Sequence, residues 1–229
     1  MLGFQEEVLY VSLPSHRQST NYLVEIPDFM EIENTEAFDF LFQKYVPTYT
    51  KEQLLDFCRY YSIVYCPKFY SIGIPLFWFG ELVGFQMRSL DINAETKYKY
   101  LTYAMKGFSL TGYLFNYDKI LLKEYQEIYL VEGIFDGLPF YLANKGWIAL
   151  FGKNVSKDRL QLLSSLKGKK VIIALDGDAK KEAYQLAYRL YEKFYFEEDV
   201  YILELPEDKD PGELGLEIFE VGKEVKYEI

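Results

Sequence analysis

The chain has very few soft or borderline metal ligands. Cys58 and Cys66 are its only cysteines and His16 its only histidine in 229 residues, so neither a disulfide framework nor a four-ligand zinc site can be assembled. Both cysteines are expected to pack in the core. Long apolar runs are missing as well. No stretch approaches the roughly 20 residues that span a bilayer, and the opening MLGFQEEVLY lacks the basic start and apolar stretch of a secretory signal. The expectation is a cytoplasmic protein with no membrane partner. An excess of positive charge is also lacking: a formal net charge of −10 argues against a protein that coats nucleic acid without selectivity. No internal repeat or low-complexity tract occurs.

What is present describes a globular chain of one or two compact units, 50% hydrophobic and 26% charged, with enough apolar residues to bury a core. Its 22 tyrosines and 18 phenylalanines fill core and cover surface, and stacking on bases is a second use for some of them. Charge is unevenly spread. From Lys145 to Lys170 the bases Lys145, Lys153, Lys157, Arg159, Lys167, Lys169 and Lys170 are opposed only by Asp158, whereas acids prevail between Glu192 and Glu228. Solvated helix faces account for much of this, and a basic rim for a polyanionic substrate is the functional reading.

Periodicity divides the chain. Residues 1–35, with Pro14 and Pro27, read as an extended lead-in. Apolar spacing of three and four predicts helices over 36–45 and 50–61, the second capped by Thr50. IGIPLFWF and LVGFQMRSL predict a hairpin turning near Gly80 and Glu81. A mixed α+β unit is therefore expected over 36–120. Beyond it, EIYLVEG, WIALFG, KKVIIALDGD and DVYILELP read as strands, interleaved with the helical stretches FDGLPFYLANKG, SKDRLQLLSSLKG capped by Ser156, and AKKEAYQLAYRLYEKFYF. Short apolar strands alternating with helices predict an α/β unit over 121–229 with a mostly parallel sheet flanked by helices.

Three acidic segments punctuate that second unit: VEGIFDG at 131–137, LDGD at 175–178 and KDPGEL at 209–214. The first two fall where an apolar strand runs into a loop, the place where open α/β sheets carry their chemistry. Glu132, Asp136, Asp176 and Asp178 are thus expected to share one crevice. Hard carboxylates with no His or Cys among them suit Mg²⁺ or Mn²⁺ rather than zinc or copper, which points to phosphoryl transfer. Side chains two apart on an extended step face one side, so Asp176 and Asp178 are expected to ligate together. Asp-Gly-Asp also makes a common tight turn, because Gly takes positive φ and Asp bonds its own backbone. Asp136 at a helix start also favours the helix dipole without any metal.

In this order on βαβ units, VEGIFD, LDGD and KDPGEL resemble the TOPRIM domain shared by primases, topoisomerases and certain nucleases. Upstream, IPLFWFGELVGFQMRSL, KYKYLT and MKGFSLTGYLF resemble the amino-terminal half of the RNA-polymerase domain of bacterial and phage-type DNA primases. Together the resemblance covers about residues 25–215. It implies a TOPRIM-type sheet with an α+β amino-terminal subdomain, and a DNA primase-type nucleotidyltransferase that makes short RNA primers on a DNA template. Two or more Mg²⁺ or Mn²⁺ ions are implied, with Glu132, Asp176 and Asp178 catalytic and Asp136 and Asp210 further metal ligands. Arg88, Lys99 and Lys106 are implied to hold template and incoming triphosphate, whereas Lys97 reads as a solubilising neighbour. The implied partners are single-stranded DNA, ribonucleoside triphosphates and a replicative helicase or separate zinc-binding primase component, in the cytoplasm of a bacterial or phage-infected cell. The chain departs from the pattern at Gly212, where an acidic residue is expected and Glu213 follows one place later. Zinc-binding and helicase-interacting segments are absent from the sequence. A metal-dependent TOPRIM nuclease and a non-catalytic DNA-binding or replisome-assembly module are the alternatives, and the shortness of the chain argues against a topoisomerase.

Overall fold

A computed structural model describes residues 21–22, 26–95, 99–194 and 200–228. Most of the lead-in, His16, Lys97 and the acids at 197–199 lie outside the described residues.

Two sheets organise the chain. The first has the order β1(Asn21–Tyr22), β6(Tyr100–Ala104), β5(Glu81–Ser89), β4(Ser71–Trp78), β3(Val64–Cys66), β2(Met30–Glu31). All its pairings are antiparallel except β1 with β6. The expected hairpin is β4–β5, with Trp78 opposite Glu81 and a register shift at Leu76/Phe77. Helices α1(Glu36–Tyr45) and α2(Lys51–Tyr60) precede it. Thr50 caps α2 as the sequence predicts, its hydroxyl accepting from the Gln53 N–H while the Gln53 side-chain oxygen accepts from the Thr50 N–H, a reciprocal capping box.

The second sheet has the order β11(Lys223–Lys226), β10(Val200–Glu204), β9(Lys170–Ile173), β7(Glu127–Val131), β8(Gly146–Ala149). It is parallel except for the β11 edge. The chain leaves β7 for β8 on one side and returns for β9 on the other. The C-terminal ends of β7 and β9 therefore flank the point where the winding reverses, the general position of a ligand crevice in open α/β sheets.

Period-2 alternation assigns each strand residue to one of two cores. Tyr129, Val131, Trp147, Ala149, Ile172 and Leu203 face the cluster shared with α1, α2 and the first sheet. Ile128, Leu130, Ile148, Val171, Ile173 and Ile202 face the helices Lys157–Leu163 and Lys180–Phe194. Burial on both faces is why these strands read as unbroken apolar runs. Cys58 and Cys66 are free and buried, so they pack as expected. Ser156 caps its helix through the Arg159 N–H.

Several elements differ from the periodicity reading. FDGLPFYLANKG forms a 3₁₀ turn at Phe135–Gly137 and only a short helix, Leu138–Leu142. The mostly polar edge strand β11 and the helix Tyr117–Leu122 carry too little periodic signal to stand out from loop.

Candidate metal centre

Parallel pairing brings the three acidic segments together. The ladder continues past both strand ends: the Ala174 N–H donates to Leu130 O at 2.8 Å and the Leu150 N–H to Val131 O at 2.9 Å. Glu132 is the next residue on one side, and Asp176 lies two beyond Ala174 on the other. Glu132, Asp176 and Asp178 each offer a carboxylate oxygen within 4.8 Å of the others. Glu132 and Asp176 are half-buried, and Asp178 is exposed.

The route to this convergence is not the expected one. Gly177–Ala179 is a 3₁₀ turn, so the Asp176 to Asp178 step is not extended and strand alternation does not aim the pair. Nor is Gly177 there for positive φ, since its φ lies outside the left-handed region. It permits close approach instead. Its N–H donates to Lys209 O at 2.9 Å, and a Cβ added at 177 would lie 1.8 Å from Pro206 O, far inside van der Waals contact. The same device recurs at Gly212, where a Cβ would stand 3.0 Å from Phe135 O. The KDPGEL segment is thereby pressed against both other acidic loops.

Asp210 caps the helix Pro211–Leu214, accepting from the Glu213 N–H at 2.6 Å, and its other oxygen lies 3.8 Å from Lys44 Nζ. Asp136 sits in the Phe135–Gly137 turn and accepts from the Gly133 N–H at 2.6 Å, closing the VEGIFDG loop on itself. Glu213 points outward on the exposed face of its helix and does not join the convergent carboxylates. The Gly212 departure is thus filled by close backbone packing rather than by a substitute ligand.

Burial and mutual repulsion hold the carboxyls far above their ordinary range. Glu132 is pushed up to about 7 by burial first and then by Asp136 and Asp178. Asp136 is pushed up to about 7 by burial and by Asp176 and Asp210, against the opposing Gly133 N–H. Asp176 is pushed up to about 7 by burial, Glu132, Asp210 and Asp178. Gathering carboxylates without a cation has this effect on principle. Two oxygens, Glu132 Oε1 and Asp176 Oδ1, are buried with no hydrogen-bond partner among the described residues. Buried polar atoms ordinarily find a partner. Two unsatisfied hard oxygens aimed into one acidic cluster are the ligand set that a Mg²⁺-type ion requires, so the residues fit a divalent cation.

Two lysines belong to this site that sequence reading did not single out as site residues. Lys44 on α1 lowers both Asp136 and Asp176 through its field. Lys153 lowers Glu132 and lies 4.0 Å from Asp178 and 3.6 Å from Glu182. Lys153 is placed by the bond from the Gly152 N–H to Glu132 O, 3.1 Å. Its place in the basic run from Lys145 to Lys170, four residues past the end of β8, was the available signal for Lys153, whereas Lys44 comes from a remote helix and carried none. The expected basic rim is otherwise corrected. Lys145 and Lys170 pair with Glu127 at the opposite ends of the strands, and Arg159 donates to the Tyr113 and Leu150 carbonyls.

Arg88 stands on β5, half-buried, hydrogen-bonded to the Tyr100 hydroxyl and stacked 5.4 Å from the centroid of Phe40 and 5.1 Å from that of Tyr100. The Tyr100 hydroxyl is raised by burial and feels Arg88 together with Asp136, Asp210 and Asp176. Tyr100, the partner of Arg88, thus lies within the field of the acidic cluster. Lys99 is exposed just before β6, its N–H donating to Glu95 O. Lys106 is exposed in the turn after β6.

Comparison with known proteins agrees with this geometry. Residues 129–214 match the Toprim-like family. The Aquifex aeolicus primase, in a structure holding its zinc-binding and RNA-polymerase domains, superposes with a TM-score of 0.54 at 27% identity, over 68% of this chain and 41% of that one. The Escherichia coli primase catalytic core gives a TM-score of 0.52 at 20% identity, over 85% and 63%. An uncharacterised Mycoplasma genitalium protein is 33% identical over 109 residues, 47% of this chain and 48% of that one. The chain thus spans under half the length of that relative and of the Aquifex structure. Residues 129–214 thus match the Toprim-like family, and the chain shares the fold of bacterial primase catalytic cores.

Proposed function

We propose that this chain is a primase-type nucleotidyltransferase that synthesises short RNA primers on single-stranded DNA, with divalent ions held by its acidic cluster. The reading is carried by one observation: carboxylates from two neighbouring strand ends converge within 4.8 Å at the reversal point of a Toprim-like sheet. In structural work on a primase of this fold, the DnaG catalytic domain was seen bound to single-stranded DNA, which favours a DNA template here.

Glu132, Asp176 and Asp178 hold the ions, with Asp136 and Asp210 completing the acidic surround. Bound Mg²⁺ or Mn²⁺ supplies charge neutralisation at the attacking and leaving oxygens of phosphoryl transfer. Glu132, standing on a different strand end from the aspartates, either joins the ion set or accepts the proton of the attacking 3′-hydroxyl. Arg88 grips a phosphate with its planar fork, and the exposed Lys99 and Lys106 add mobile point charges along the template and triphosphate. Lys44 and Lys153 keep enough carboxylates ionised for metal to enter. A helicase or a zinc-binding component would supply template choice.

The test is incubation with Mg²⁺ or Mn²⁺, single-stranded DNA and labelled ribonucleoside triphosphates. Oligoribonucleotides are expected, and Asp176→Ala with Asp178→Ala should remove them. Shortened DNA without RNA product would replace this reading with a nuclease. An unaltered biological role for the doubly substituted chain would replace it with a non-catalytic module.

A further inference from the structure

The parallel sheet has a second concave site at its other end. A cleft of about 350 Å³ is lined by α2, the helices Tyr117–Leu122 and Leu138–Leu142, the segment leading into β7 and the start of β8. It lies beyond the N-terminal ends of these strands, whereas the acidic cluster lies beyond their C-terminal ends. At about 3.3 Å per residue, the β7 length alone separates the two by roughly 16 Å. The cleft volume falls within the range of small-ligand pockets, about 300–1,000 Å³.

Its lining pairs flat rings with ammonium groups. Lys119 Nζ lies 4.4 Å from the Tyr60 ring centroid and 4.6 Å from that of Tyr61. Lys123 Nζ lies 5.8 Å from the rings of both Tyr60 and Tyr125 and donates to the Tyr60 hydroxyl at 3.3 Å. Neither ammonium has a carboxylate within 4.0 Å among the described residues. Tyr60 nonetheless remains 42% exposed, a ring left open at the mouth of a cleft. Tyr141 closes one wall, its hydroxyl donating to Asp56 at 2.7 Å.

Rings alone would be accounted for by packing, and lysines alone by their hydration at the surface. The combination differs. Lys119 is partly desolvated, which pushes its ammonium down from the ordinary lysine range; the field of Asp118 opposes this without forming an ion pair, and its close contacts are with the tyrosine rings. An anion carrying a π-face would satisfy both features at once, its phosphate meeting Lys119 and Lys123 and its base stacking on an open tyrosine.

We propose that this cleft is a nucleotide-binding site distinct from the acidic cluster, taking a nucleoside phosphate either free or as one unit of a single strand. It does not depend on the primer-synthesis reading. Binding is measured in EDTA, which removes any divalent ion through which the acidic cluster would hold a phosphate. The probes are AMP by calorimetry and fluorescein-labelled oligothymidylate by anisotropy. Saturable binding of AMP identifies a free nucleotide as the ligand, and binding of the oligomer alone identifies a strand. Lys119→Met with Lys123→Met should weaken either by about tenfold or more through loss of two charge-assisted contacts, and Asp176→Asn should leave it unchanged. Acetylation footprinting of the unsubstituted chain gives an independent readout: the bound probe should slow modification of Lys119 and Lys123. The proposal is overturned if neither probe binds, or if binding persists in the double variant with no protection of these lysines.

Discussion

Replacing Asp176 with asparagine should stabilise the metal-free protein at pH 8 and destabilise it relative to wild type once Mg²⁺ is added. Burial and three neighbouring carboxylates lift Asp176 from 3.8 to about 7. A carboxyl whose folded pKa is raised binds more protons folded than unfolded, so stability is lost as pH climbs from about 4 through about 7. Three pK units correspond to about 4 kcal/mol at 1.36 kcal/mol per unit. Glu132 and Asp136 share the same repulsion, so assigning the whole shift to one residue would count it more than once. Halving gives about 2 kcal/mol, a rise of roughly 4–8 °C in Tm for a chain of this size. Asparagine keeps the shape and the backbone N–H that Asp176 offers to Glu132, so the change is one of charge. With Mg²⁺ at 100 times its Kd, the wild type should gain about 2.7 kcal/mol, and the variant should gain little. Calorimetric melts at pH 5 and pH 8, with Mg²⁺ and with EDTA, give all the terms. At pH 5 in EDTA the difference should shrink to about 0.8 kcal/mol, because the folded carboxyl is protonated there while the unfolded one, with its ordinary value of 3.8, is still ionised. A variant that melts below wild type at pH 8 in EDTA, or responds equally to Mg²⁺, would refute the reasoning.

Three other substitutions probe separate links. Gly177→Ala should cost about 3 kcal/mol, at the upper end of typical overpacking, because its Cβ meets the Pro206 backbone rather than a yielding side chain; a urea titration showing under about 0.5 kcal/mol of loss would remove the interlocking-loop account. Arg88→Lys should reduce primer synthesis by about tenfold or more through loss of the planar fork, with under about 1 kcal/mol lost in a melt; unchanged synthesis would free Arg88 from the site. Lys153→Met should shift the pH midpoint of metal binding upward, since Lys153 lowers Glu132; calorimetric Mn²⁺ titrations across pH 6–9 showing no upward shift would exclude it from the site.

Much of this was legible because the decisive signals are local. Apolar runs punctuated by helices specify a sheet covered on both faces, and strands β7 to β10 follow. Thr50 and Ser156 cap the predicted helices because capping needs only residues three apart. Carboxylates at successive strand ends announced the crevice, and it is where parallel pairing puts Glu132 beside the aspartates. What was illegible is long-range. The interlock of Gly177 with Pro206 and of Gly212 with Phe135 depends on backbone approach between segments with no shared periodicity. Lys44 reaches the site from a helix 88 or more residues away in sequence, and nothing near it marks that destination. The Asp-Gly-Asp step also shows a right destination reached by a wrong route, a 3₁₀ turn where an extended one was expected.

The central claim is that side chains from separate strand ends capture divalent cations. Diffraction from crystals soaked in Mn²⁺, with anomalous maps recorded at the manganese edge, tests it most directly. A peak enclosed by Glu132, Asp176 and Asp178 is the predicted result. Manganese bound elsewhere on the chain, with that position blank, would contradict it.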